Sequence, residues 1–114
     1  MSACEQARGL LEEALKAEPD NARVLQLLGS LELEAENYDD ACSYFAAGYK
    51  ADPSRVTVIQ AWARAEAMLG RLGKARHLFR AGLKLDPTNP YLLQVTINTV
   101  LSVRGTHILS VYIQ

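Results

Sequence analysis

Two glutamates, Glu32 and Glu66, lie 34 residues apart, and a pair of carboxylates is what general acid–base chemistry uses. Nothing nucleophilic or metal-binding accompanies them in the sequence. Cys4 and Cys42 form no CxxC pair and have no histidine at metal-ligand spacing. His77 and His107 stand alone, and no glycine-rich phosphate loop, catalytic triad or metal spacing occurs. The chain therefore reads as a non-enzyme without metal or cofactor. Glu32 and Glu66 read better as partly buried acids at one structural position, each satisfied by a helix terminus or by an arginine such as Arg76.

Other residues are suited to recognition. Gln26, Gln60 and Gln94 also recur every 34 residues. An amide carries donors and an acceptor, so it can pair with base edges or with peptide groups. The plainer reading is that glutamine is a good exposed helix former. Arg76, Arg80 and Lys84 are spaced i, i+4, i+8 and form a helical ridge that could contact phosphates. A solvated outer face is the simpler account of that ridge. Aromatic stacking platforms interleaved with bases are nearly absent.

The elements that position these residues follow from the same interval. Ala7, Ala41 and Ala75 are separated by 34 residues, as are Lys16, Lys50 and Lys84, then Pro19, Pro53 and Pro87, and finally Leu11, Phe45 and Phe79. A fixed period of this length marks a helix–turn–helix array, in which each unit buries its apolar face only by stacking on its neighbours. The expected fold class is all-α: an α-solenoid of antiparallel helix pairs, with about six helices. One repeat spans 22–55, with helices over 22–36 and 38–50. The next spans 56–89, with helices over 56–70 and 72–85. Residues 4–21 match only the second half of a repeat, and 90–103 supply only a first helix. The array thus covers 1–103, and 104–114 reads as an irregular tail, a short strand or disordered stretch from Thr106. Asn21, Ser54 and Asn89 are suitable N-caps, and each Asp/Glu-Pro pair ends a helix because the residue before proline is pushed from the α region. Ala7, Ala41 and Ala75 belong at close helix contacts. Trp62 and Phe79 are core anchors, with Trp62 substantially buried, and Phe45 repeats the Phe79 position.

The 114 residues, 49% hydrophobic and 22% charged, suit one globular domain. Net charge is −1, but residues 1–54 hold eleven acids and four bases (−7) while 55–114 hold two acids and eight bases (+6). That asymmetry could draw an anionic partner to the second half or promote head-to-tail self-association; oppositely charged solvated faces are the plainer reading. The first six residues show neither a signal peptide nor a transit segment. Reduced thiols in an intracellular protein are the default. Nothing resembles a polar capping unit, so the chain reads as a fragment whose bare array ends favour self-association. The stretch from Val95 onward is long enough to span a membrane, but Arg104, Gly105 and His107 would fall in its middle, which argues for no membrane partner.

Residues 61–70 (AWARAEAMLG), followed by Lys74-Ala75-Arg76-His77-Leu78-Phe79 and Leu83-Lys84-Leu85-Asp86-Pro87, resemble a HAT (half-a-TPR) repeat. The pattern is tryptophan with glutamate four residues on, then Ala-Arg-x-x-Phe and a late proline. A tetratricopeptide repeat would have tyrosine where Glu32 and Glu66 stand. The first unit departs from the HAT pattern, with Leu28 for tryptophan and Cys42 for arginine. Residues 60–63 and 86–94 look most like the plastid group of HAT proteins. The resemblance, covering residues 4 to about 96, implies RNA processing or messenger-RNA stabilisation, and a chloroplast location, with nucleus or cytoplasm as alternatives. In such repeats the second, fifth and ninth positions of each first helix line the concave groove. They are Arg23, Gln26 and Ser30; Thr57, Gln60 and Arg64; and Tyr91, Gln94 and Asn98. The implied partners are single-stranded RNA, held most strongly over 57–98, or proteins of an RNA-processing complex. The alternative is a tetratricopeptide scaffold that binds a peptide and has no link to RNA. Its carboxylate-clamp version is disfavoured, because the groove shows glutamines and a single Arg64 where lysine and asparagine are needed.

Overall fold

The computed structural model describes residues 2–103, which form six α-helices and no strand. They are α1 (Ala3–Ala17), α2 (Ala22–Glu34), α3 (Tyr38–Ala51), α4 (Val56–Met68), α5 (Leu72–Leu85) and α6 (Pro90–Val103). The expectation for the tail at 104–114 lies outside the described residues.

Three of the helices, α1, α2 and α6, start where a side chain satisfies orphan amides. Ser2 and Glu5 make a capping box on α1, with the Glu5 amide donating to Ser2 Oγ at 3.2 Å and the Ser2 amide donating to Glu5 Oε2 at 3.4 Å. Asn21 and Asn89 cap α2 and α6, accepting from Val24 N–H at 3.2 Å and Leu92 N–H at 3.1 Å. Ser54 does not cap α4. Its amide and hydroxyl both donate to Asp52 Oδ1, at 3.2 and 2.6 Å, so the aspartate captures the serine in a local turn. The helix then begins one residue later, with Arg55 in the position of Asn21 and Asn89.

The turns inside the two repeats share one geometry. Glu36 (φ 64°) and Gly70 (φ 82°) take left-handed conformations one period apart. The following amides of Asn37 and Arg71 reach back to the carbonyls of Glu32 and Glu66 at 2.8 and 2.9 Å, and Glu36 and Gly70 bond Leu33 and Ala67. This Schellman closure ends α2 and α4 at Glu34 and Met68, two residues short of the sequence expectation.

Helices α2 with α3 and α4 with α5 form antiparallel hairpins; α1 packs on α2, α3 on α4, and α6 on α5. In addition α2 touches α4, a contact without a counterpart of similar extent between α3 and α5. The first helices of the two complete repeats thus lie side by side. One core cluster centres on Phe45, Ala41, Val58 and Ala65, the other on Ile59, Ala63, Ala75, Leu78, Phe79 and Leu92. Ala41 and Ala75 are fully buried, as a close helix contact requires. Ala7 is only half-buried, since no described helix covers the other side of α1. Trp62 is half-buried. It bridges both clusters, with Tyr49 at 5.8 Å and the Lys74 ammonium 5.3 Å over its ring.

Candidate functional site

The expected groove draws on the first helices α2, α4 and α6, and its nine residues divide into three groups by exposure. Arg23, Thr57, Arg64, Tyr91 and Gln94 are exposed, Gln26, Ser30 and Gln60 are half-buried, and Asn98 is buried at 2% exposure. Asn98 therefore presents no side chain to a ligand; its Oδ1 accepts from Gln94 Nε2 at 3.3 Å.

The glutamine ladder is largely spent on the fold. Gln26 Oε1 accepts from Arg55 Nε and Nη2 at 3.3 and 3.2 Å, and its Nε2 donates to Thr57 Oγ1 at 3.0 Å. One period on, Gln60 Oε1 accepts from Asn89 Nδ2 at 3.0 Å. In both cases the amide carbonyl of one first helix holds the N-cap residue of the next. Gln26 and Gln60 thus stitch repeats together, and their carbonyl oxygens are not free for a ligand. Pattern alone marks Asn89 as a cap but gives neither its bond to Gln60 nor the bond of Arg55 to Gln26, although the spacing of 29 residues occurs twice.

What remains available on the groove is cationic and aromatic. Arg23 and Arg64 take part in none of the ion pairs among the described residues, and no acid occupies any of the nine groove positions. Burial pushes the Tyr91 hydroxyl pKa up, against the opposing pull of the Arg64 charge. Arg64 and Tyr91 are thus electrostatic neighbours on α4 and α6.

Behind the groove, the paired glutamates are structural. Glu32, 7% exposed, accepts from Arg8 Nε at 2.9 Å and Asn37 Nδ2 at 3.1 Å. Glu66 is fully buried and accepts from Arg71 Nη1 at 3.0 Å, with Lys74 Nζ 2.9 Å from its other oxygen. The partner is not Arg76, which lies with Phe79, Arg80 and Thr96 at the α5–α6 contact. Burial pushes the Glu66 carboxyl up, but the hydrogen bonds and charges of Lys74 and Arg71 outweigh it and hold it below the usual value. Cys42 stands where Arg8 stands one period earlier, and burial beside Glu66 pushes its thiol to about 11. A carboxylate so fully engaged offers no proton to a substrate.

The ridge of Arg76, Arg80 and Lys84 lies on α5, a second helix, with Arg80 and Lys84 exposed and Arg76 half-buried. Among the described residues no group of His, Cys, Asp and Glu is placed to hold a metal ion, and no helix is long and apolar enough to cross a membrane.

Comparison with known proteins places this geometry. Two family models, both described as tetratricopeptide repeat, match residues 3–56 and 56–98. No curated protein matches the sequence. Among solved structures, the chain is similar to the first TPR of Spaghetti (RPAP3) bound to the HSP90 peptide SRMEEVD, with 16% identity, a TM-score of 0.84, and 89% of this chain and 80% of that chain covered. The second TPR domain of human RPAP3, in complex with the HSP70 peptide SGPTIEEVD, is 21% identical with a TM-score of 0.79 over 84% and 80% of the two chains. The Arabidopsis OM64 TPR domain is 22% identical with a TM-score of 0.80 over 84% and 79%. At such identities the likeness shows the fold alone. The matches are to tetratricopeptide repeats; the narrower HAT and plastid affiliation rests only on the residues quoted for it above.

Proposed function

We propose that this chain, which belongs to the tetratricopeptide-repeat family, is a non-enzymatic scaffold for protein interaction whose inner groove holds an extended acidic peptide. The observation that carries this reading is the pair of exposed, unpartnered cations, Arg23 and Arg64, on a face where no groove position holds an acid. An arginine fork matches a carboxylate, and Tyr91 beside Arg64 adds an apolar surface for a neighbouring side chain. The stitched glutamines beneath keep these groups on a rigid floor, which lowers the ordering cost of binding. The peptides held by the two RPAP3 domains, SRMEEVD and SGPTIEEVD, are acidic and support the same chemistry here.

RNA was the other candidate, and the groove suits it less well. Two cations and one aromatic give few phosphate or stacking contacts, and the carbonyl oxygens of Gln26 and Gln60 are already engaged. Fluorescence anisotropy with three labelled probes separates the readings: an acidic peptide with a free C-terminus, its amide-substituted neutral version, and a single-stranded RNA. The acidic peptide should bind, the neutral one far less, and Arg64→Ala should weaken binding about tenfold, the worth of one charge-assisted hydrogen-bond pair. Preferential binding of RNA, lost in the same variant, would return the function to RNA processing.

A further inference from the structure

Helix α6 carries first-helix residues with no second helix against them among the described residues, and α1 carries second-helix residues with no first helix. Leu25 and Ile59 are 4% and 0% exposed, whereas Leu93, at the same position of the next unit, is 42% exposed. Ile97 is 55% exposed where Ala63 is 0%, and on α1 Leu10 is 74% exposed where Leu78 is 5%. The cluster closing the second repeat joins Ile59 and Ala63 of α4 to Ala75, Leu78 and Phe79 of α5. Moved one period forward, its α4 half becomes Leu93 and Ile97. Moved two periods back, its α5 half becomes Ala7, Leu10 and Leu11. The two halves of one repeat core thus stand at opposite ends of the array.

We propose that α1 of a second copy docks on α6, completing a hybrid repeat, so that the 114-residue chain assembles head to tail. Side-chain sizes fit this pairing. Gly29 lies so close to Phe45 that an added Cβ would come within 2.5 Å of the ring, and Ala63 shares a cluster with Phe79. The hybrid pair would be Ile97 with Leu11, where leucine in place of phenylalanine offsets part of the volume that isoleucine adds over alanine. Ala14 also keeps a small residue opposite Leu93, where Gly48 and Gly82 lie 3.6 and 3.5 Å, by their Cβ positions, from Leu25 and Ile59. Charge favours the same polarity, since the acidic half (−7) approaches the basic half (+6) of the next copy. Such a contact uses two different surfaces and does not close on itself.

Sedimentation velocity tests this with the intact chain and two variants at exposed positions, Ile97→Glu and Leu10→Glu, whose folding is checked by circular dichroism. The wild type should gain mass with concentration past the dimer, and each variant alone should be a monomer. An equimolar mixture of the two variants should form a dimer and stop there, because only one intact α6 face and one intact α1 face remain. A wild type that stays monomeric at high concentration would overturn the proposal. So would Leu10→Glu still dimerising, which would mean α6 pairs with α6, or a variant mixture that stays monomeric.

Discussion

The two complete repeats, 22–55 and 56–89, solve the same problems at the same positions with different residues. Each buries a glutamate near the end of its first helix. Glu32 is held by Arg8 from the preceding helix, with Asn37 beside it. At Glu66 the preceding helix offers only Cys42, and the positive charge comes instead from the far side of the turn, through Arg71 and Lys74. The left-handed turn residue is Glu36 in one repeat and Gly70 in the other. The residue facing the core phenylalanine is Gly29 in one and Ala63 in the other. Backbone geometry is therefore what the period specifies, while the partner that satisfies each buried group is free to move around it.

The largest effect should come from stripping the second repeat of its own solution. Replacing Arg71 and Lys74 together by alanine leaves Glu66 buried without a cation, and should cost ~3–5 kcal/mol in urea unfolding. Arg8→Ala should cost less, about 1–2 kcal/mol, because Asn37 still bonds Glu32. The pH dependence should also invert. In the wild type Glu66 sits below the usual carboxylate value, so its contribution is present above that usual value and lost as pH falls through the depressed one. In the double variant burial alone remains and pushes the carboxyl up, so stability should rise as pH falls from neutral. A double variant that keeps the wild-type slope would show that Cys42 or the turn amides, not the two cations, hold the charge.

Exchanging the core pair sharpens the comparison on a smaller scale. Gly29→Ala should destabilise by ~1–3 kcal/mol, because its new Cβ meets the Phe45 ring. Ala63→Gly should cost only about 1 kcal/mol, mostly backbone entropy. Equal values would mean that Phe45 rotates away freely. Smaller again is the turn. Glu36→Gly should stabilise by about 0.5–1 kcal/mol, by relieving a left-handed glutamate. A neutral result in thermal melts would locate compensating contacts at Glu36. Finally, Cys42, with its thiol at about 11, should resist a thiol reagent at mildly alkaline pH until the chain unfolds, while the exposed Cys4 reacts at once.

Helix positions were legible because a repeated interval constrains backbone, and 72–85 and 90–103 agree to the residue. Partners across a turn were not. Arg76 was the natural guess for Glu66 from the repeat motif, whereas Arg71 and Lys74 reach it by crossing the Gly70 turn, whose closure no helical spacing describes. Ser54 fits the cap pattern, yet its amide and hydroxyl are taken by Asp52 two residues earlier, a local competition that cap spacing alone does not weigh. Periodicity marks the glutamines as equivalent positions without saying what each one touches. The recurrent spacing from Gln26 to Arg55 and from Gln60 to Asn89 held that information, for a repeated distance implies a repeated contact. Arg23, Thr57, Arg64 and Tyr91, by contrast, are exposed, as a groove position requires.

The claim that the inner groove is the binding surface is tested most directly by titrating an acidic peptide with a free carboxylate into isotopically labelled protein and following backbone amide shifts. The perturbed amides should belong to α2, α4 and α6 around Arg23, Thr57, Arg64 and Tyr91, with the α5 ridge at Arg80 and Lys84 unmoved. Shifts confined to that ridge, or none in the groove, would contradict it.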